Sequence, residues 1–68
     1  MLKSRIKIIL AEKDLMAKDL AEQMNVTKFV VSNWLNNKSR PSAETLFELA
    51  HKLDVKVDDL YEYTPEDE

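Results

Sequence analysis

The stretch Asn25-Val26-Thr27-Lys28-Phe29-Val30-Val31-Ser32-Asn33-Trp34-Leu35-Asn36-Asn37-Lys38-Ser39-Arg40-Pro41-Ser42, residues 25–42, decides how the rest of the chain is read. Thr27 is a good helix N-cap, because a threonine hydroxyl can accept from the free backbone N–H groups of a first turn. After it, Val31, Trp34 and Leu35 recur at the three-to-four spacing of one buried helix face. Val26 packs at the preceding turn, and Val30 lies at the margin of the buried face. Pro41 stops the helix, and Ser42 caps the next one. The helix is therefore predicted from Thr27 to about Asn36. Its other face carries Lys28, Phe29, Ser32 and Asn33, an unusual mixture for a purely solvated surface.

The chain has 68 residues and no glycine. Helices often end on a residue in the left-handed region, usually glycine. Asn and Asp are the next residues best able to adopt positive φ. Asp14, Asn25, Asn37 and Asp54 each follow an apolar helical pattern, and they divide the chain into five short helices. Helix 1 is predicted over Leu2 to Lys13, with Ile6, Ile9 and Leu10 inward. Helix 2 is predicted over Ala17 to Met24, with Leu20, Ala21 and Met24 inward. Helix 4 is predicted over Ala43 to Leu53, with Leu46, Leu49, Ala50 and Leu53 inward. A last helix spans about Val57 to Tyr61, anchored by Val55, Val57 and Leu60. Beyond it, the alternation Tyr61-Glu62-Tyr63-Thr64 predicts a short extended strand, which can pair with residues 1–4. Glu66-Asp67-Glu68 is expected to fray. The fold class is all-α, with a domain over residues 1–62 and a short acidic tail over 63–68.

A chain this short buries only about 60% of the surface exposed by its unfolded form. Without cysteine it has no disulfide to staple it, so packed helices, a partner or a second copy must supply the stability. The longest apolar run, Ile8 to Ala11, is far below the roughly 20 residues that span a bilayer, and no secretion signal is evident. The expected location is the cytoplasm. Net charge is −3, yet four of the thirteen acids lie in the last seven residues. Residues 1–61 hold ten basic and nine acidic side chains, a net of +1. Between Glu22 and Glu44 there is no acid at all, while Lys28, Lys38 and Arg40 fall in that window. A local basic patch matters more for phosphate contact than the total charge.

The pattern Leu20-Ala21-x-x-Met24-Asn25-Val26-Thr27, then Val31-Ser32-x-Trp34, then Asn36-Asn37-Lys38-x-x-Pro41-Ser42, strongly resembles the Xre family. These are the lambda-repressor-like and Cro-like helix-turn-helix regulators. The resemblance runs from about Leu2 to Tyr61 and includes the final Val57-Asp58-Asp59-Leu60-Tyr61. It implies binding of double-stranded operator DNA, commonly as a homodimer. It also implies that Lys28, Phe29, Ser32 and Asn33 face the bases. Lysine suits guanine O6 and N7, asparagine suits adenine N6 and N7, and an aromatic ring packs on a thymine methyl group. Lys18, Thr27, Asn36, Lys38, Ser39 and Arg40 are the expected phosphate contacts, which fix register rather than sequence. Val57, Tyr61 and Tyr63 are the expected dimer contacts.

The sequence departs from the family pattern at three places. Where the family has a polar cap and a phosphate-touching glutamine at the start of helix 2, this chain has Met16 and Ala17, with Lys18 as the partial replacement. Where the family often pairs a buried arginine with a glutamate, positions 10 and 35 are both leucine. Exchanging both members of a buried ion pair for apolar residues is often neutral or stabilising, so Leu10 and Leu35 are expected to touch. The family's common glycines are replaced by the four Asp and Asn residues named above.

An enzyme is not expected. His51 is the only histidine, and without glycine there is no glycine-rich phosphate cradle. Asp58 and Asp59 are adjacent and point apart on a helix. No metal, cofactor or small-molecule ligand is indicated. The other expected function is a protein-interaction module, antirepressor-like or antitoxin-like, gripping a partner through Phe29 and its neighbours.

Overall fold

The computed structural model describes residues 1–65. In order, the elements are β1 (Leu2–Ser4), α1 (Ile6–Glu12), α2 (Ala17–Met24), α3 (Lys28–Leu35), α4 (Ala43–Leu53), α5 (Val57–Leu60) and β2 (Tyr61–Tyr63). The acidic segment Glu66-Asp67-Glu68 lies outside the described residues.

The four turns predicted from Asp and Asn are present, with φ of 59° at Asp14, 58° at Asn25, 62° at Asn37 and 58° at Asp54. Each is closed by the same two backbone bonds. At the second turn, Asn25 N–H donates to Glu22 O at 3.2 Å and Val26 N–H to Ala21 O at 3.0 Å. At the first, Asp14 donates to Ala11 and Leu15 to Leu10. At the third, Asn37 donates to Trp34 and Lys38 to Asn33. At the fourth, Asp54 donates to His51 and Val55 to Ala50. This is the Schellman closure, which satisfies carbonyls left over at a helix end. The residue after the left-handed position is commonly apolar and packs back on the helix. Leu15, Val26 and Val55 do so, all half-buried against the core. The third turn instead carries Lys38 there, and it is exposed.

Helix starts are equally local. Thr27 Oγ1 accepts from Val30 N–H at 3.3 Å, and Ser42 Oγ from Thr45 N–H at 3.3 Å. At α2 the capping residue is Met16, which offers no oxygen. Asp19 compensates from inside the helix, its carboxylate accepting from Met16 N–H at 3.0 Å.

The expected first helix from Leu2 is corrected at its N-terminal end. Leu2–Ser4 is a strand, and α1 begins only at Ile6. It pairs antiparallel with β2, in the register Leu2 to Tyr63, Lys3 to Glu62 and Ser4 to Tyr61. Arg5 N–H continues the ladder to Leu60 O at 2.8 Å, so the backbone there is committed to the last turn of α5. A helical start would leave the β2 carbonyls unpaired, and the pairing partner lies at the far end of the sequence. The last helix correspondingly stops at Leu60, and Tyr61 opens β2.

The core joins every helix. Ile6, Leu20, Val31, Leu49 and Leu60 are fully buried, with Ile9, Leu10, Ala21, Trp34, Ala50 and Leu53 around them. Leu35, Leu46 and Met24 are half-buried at its edge. Each fully buried aliphatic side chain contributes roughly 1.5–3 kcal/mol. Tyr61 belongs to this core too, at 9% exposure. Among the described residues its hydroxyl has no hydrogen-bond partner of good geometry. Burial raises its pKa above 10.0, opposed in part by the nearby Ser4 hydroxyl and Arg40 charge.

Two stability outcomes follow from these features. Asp54→Ala is expected to lower stability by about 1 kcal/mol, because alanine has no special tolerance of positive φ. Asp54→Gly is expected to raise it by up to about 1 kcal/mol, since it relieves the backbone and removes a carboxylate from a helix C-terminus. Urea unfolding of both variants checks the sign. For Tyr61, the folded state favours the neutral phenol. Its contribution is therefore intact below pH 10 and declines as pH rises above 10, where only the unfolded chain ionises readily. Tyr61→Phe is expected to match or exceed wild-type stability at pH 7 and to lose less of it between pH 9 and 11, read by thermal melts across that range.

Candidate nucleic-acid interface

α3 is held from one side and open on the other. Val31 is fully buried and Trp34 nearly so, while Val30 and Leu35 are half-buried. α2 packs against α3 more extensively than any other pair of helices does, and the small Ala21, at 5% exposure, is buried there. With Val31 and Trp34 locked inward, Lys28, Phe29 and Asn33 point to solvent, and Ser32 is half-buried beside them. Phe29 is 71% exposed. The Lys28 ammonium lies 5.9 Å from its ring centroid, at the outer limit of a cation–π contact.

The side chains on this face differ in what they have free. The Asn33 side chain makes no hydrogen bond among the described residues, so both its donor and its acceptor are open. Asn36 caps the helix C-terminus. Its amide nitrogen donates to Ser32 O at 2.9 Å and reaches Ser32 Oγ at 3.3 Å. Thr27 Oγ1 accepts from Val30 N–H, which leaves its hydroxyl proton available.

Charge follows the same division. α2, α4 and α5 each carry an acid in the first turn, Asp19, Glu44 and the Asp58–Asp59 pair respectively. α3, like α1, has none, and it begins with Lys28. Its N-terminal dipole is thus uncompensated by the protein, the condition under which a helix N-terminus attracts an anion.

The loop after α3 brings Lys38, Ser39 and Arg40 to the surface, all three exposed. It is tied at its start, where Asn37 Nδ2 donates to Leu2 O at 3.3 Å, across 35 residues of sequence. Further along, Arg40 and Pro41 line a groove with Leu2, Tyr61 and Tyr63. The two-stranded sheet therefore supports the basic loop from behind. Lys18 is exposed in the first turn of α2, the helix that packs on α3. Of the three expected dimer contacts, Tyr63 is 68% exposed, Val57 is half-buried, and Tyr61 is enclosed in the chain's own core. Reading the sequence missed the Asn36–Ser32 bond and the Asn37–Leu2 anchor. The i, i+4 spacing of Ser32 and Asn36 was the available signal for the first, and nothing local signals the second.

Among the described residues no helix is long and apolar enough to cross a membrane. No curated protein matches the chain. A crystal structure from Bacteroides fragilis, described as "a putative DNA-binding protein", is 41% identical to it and superposes with a TM-score of 0.85. That match covers 90% of this chain and 98% of the other. The model of the Cro/C1-type helix-turn-helix DNA-binding domain matches residues 5–66, nearly the whole sequence. The open α3 face, the acid-free helix start and the supported basic loop belong to a member of that family: this chain is a Cro/C1-type helix-turn-helix DNA-binding domain.

Proposed function

We propose that this chain is a sequence-specific regulator of transcription, acting as a dimeric repressor that lays α3 in the major groove of a palindromic operator. The observation that carries this reading is the split character of α3. One side is fixed by Val31 and Trp34, and the other presents Lys28, Phe29 and Asn33 to solvent with no competing carboxylate. Lys28 and Asn33 supply the polar base contacts, Phe29 an apolar contact to a thymine methyl group, and Ser32 a hydroxyl between them. Lys18, Thr27, Lys38, Ser39 and Arg40 hold phosphates and set the register. One such helix reads too few bases to find a site in a genome. Two copies related by a two-fold axis read half-sites about 34 Å apart. The dimer surface is proposed around Val57 and Tyr63, with Tyr61 beneath them. No catalytic step enters this function, and it belongs in the cytoplasm, where the operator would be.

A second reading is favoured by one observation, the 71% exposure of Phe29. A large exposed aromatic is also what an anchor for a partner protein looks like. The salt response separates the two. Counterion release makes DNA affinity fall steeply with salt, whereas an apolar protein contact depends on it far less.

Selection from random duplexes with the purified chain is expected to return a palindrome with half-site centres one helical turn apart. Lys28→Ala and Asn33→Ala are each expected to cost about 1–3 kcal/mol on the selected site and to relax the preference at one base pair. Lys38→Ala and Arg40→Ala are expected to weaken all duplexes about equally and to reduce the salt slope by about 1 each. Fluorescence anisotropy on selected and scrambled duplexes at several salt concentrations measures both effects. A uniform loss for Lys28→Ala and Asn33→Ala would move those residues to the phosphate class.

A further inference from the structure

We propose that Asn36 sets the hydrogen-bonding polarity of Ser32, making it a donor toward the DNA base that it faces. The inference rests on the reading of α3 as the base-contacting helix. It assigns Asn36 a positioning role in specificity, acting through Ser32 rather than on DNA directly.

The chemistry begins with the backbone. A carbonyl oxygen can only accept, so the Asn36 group 2.9 Å from Ser32 O must be the amide nitrogen. That contact fixes which way the amide is turned. The same nitrogen is then the group 3.3 Å from Ser32 Oγ. The hydroxyl therefore receives a hydrogen bond from Asn36, and it cannot return one to a nitrogen that carries only donors. A serine inside a helix commonly donates back to the carbonyl four residues earlier. Ser32 makes no such bond, and among the described residues its hydroxyl proton has no acceptor.

The consequence is directional. A hydroxyl that already accepts is polarised to donate more strongly. Ser32 is half-buried on the margin of the exposed face, between Lys28 and Asn33. Its free proton then seeks an acceptor. In the major groove guanine offers N7 and O6, adenine N7, and thymine O4, while cytosine offers only its N4 donor. The base facing Ser32 is thus expected to be guanine, adenine or thymine, with cytosine disfavoured. With its amide nitrogen held on Ser32, Asn36 is left with its carbonyl oxygen unengaged, which a phosphate would repel.

The test compares the base preferences selected by the wild type, Ser32→Ala, Asn36→Ala, Asn36→Asp and the Ser32→Ala/Asn36→Ala double variant. Asn36 is exposed and has negative φ, so alanine fits its backbone, and circular dichroism melts confirm folding. Asn36→Ala is expected to reduce discrimination against cytosine at one position by about threefold to tenfold, the range of one neutral hydrogen bond. In the double variant the same loss should appear only once, because the two residues act as a unit. Asn36→Asp turns an acceptor toward the hydroxyl and is expected to shift that position toward cytosine or toward adenine N6. Three outcomes overturn the proposal: an unchanged base profile in Asn36→Ala; additive effects in the double variant; or an equal loss on all duplexes with a smaller salt slope, which makes Asn36 a phosphate contact. If the wild type itself enriches no sequence, the base-reading role of α3 fails and this inference falls with it. A wild-type palindrome with an unaltered Asn36→Ala profile rejects the inference alone.

Discussion

The packing of α2 on α3 is the constraint from which the rest follows. It fixes the rotation of α3 about its own axis, and that rotation alone decides whether Lys28, Phe29 and Asn33 meet solvent or the core. A turn of about 180° would exchange the two sets, because at about 100° per residue they lie on opposite sides of the helix. Three local devices hold the angle. The small Ala21 is buried at the contact, Asn25 in the left-handed conformation reverses the chain, and Val26 closes the turn through its bond to Ala21 O. None involves a charge, so the geometry that presents the basic face is itself insensitive to salt.

Replacing glycine by Asp and Asn at the helix ends is a compromise between two states of the chain. Glycine would adopt positive φ more easily but gives the unfolded chain more freedom. The three turns that pack inward are each completed by an apolar residue, Leu15, Val26 or Val55. The turn after α3 breaks that rule with Lys38. Its backbone closure is the same as the others, yet the residue that would fold back on the helix points outward instead. A structural solution repeated three times is altered once, in the basic loop that is proposed to hold a phosphate.

Much of this was legible in the sequence, because helix ends and buried stripes are local matters. The four left-handed positions, the Thr27 and Ser42 caps, and the core stripe from Ile6 to Leu60 can all be read from residues within one or two turns of each other. The exposed α3 residues follow from the same periodicity by subtraction. What was not legible depends on distant partners. The alternation at Tyr61–Tyr63 does signal a strand able to pair with residues 1–4, but Leu2–Ser4 itself fits a helix start equally well, and only the distant partner decides for the strand and sets its register. Tyr61 looks like a surface aromatic in sequence and is buried in the cluster formed by the helices. The Asn36–Ser32 bond is local, but spacing permits it without choosing which atom donates.

The two-stranded sheet joins opposite ends of the chain, with Met1 and Thr64 bonded across a separation of 63 residues. Closing so large a loop is entropically costly until the helices have already brought the ends together. The sheet is therefore expected to form late in folding and, having few buried contacts of its own, to open early in the native state. Its opening would not stay local. Asn37 is fastened to Leu2 O, so the loop bearing Lys38, Ser39 and Arg40 loses its anchor in the same event. The order of the basic loop, and with it the backbone grip proposed for that loop, is thereby linked to the amide exchange of a strand pair at the other end of the sequence.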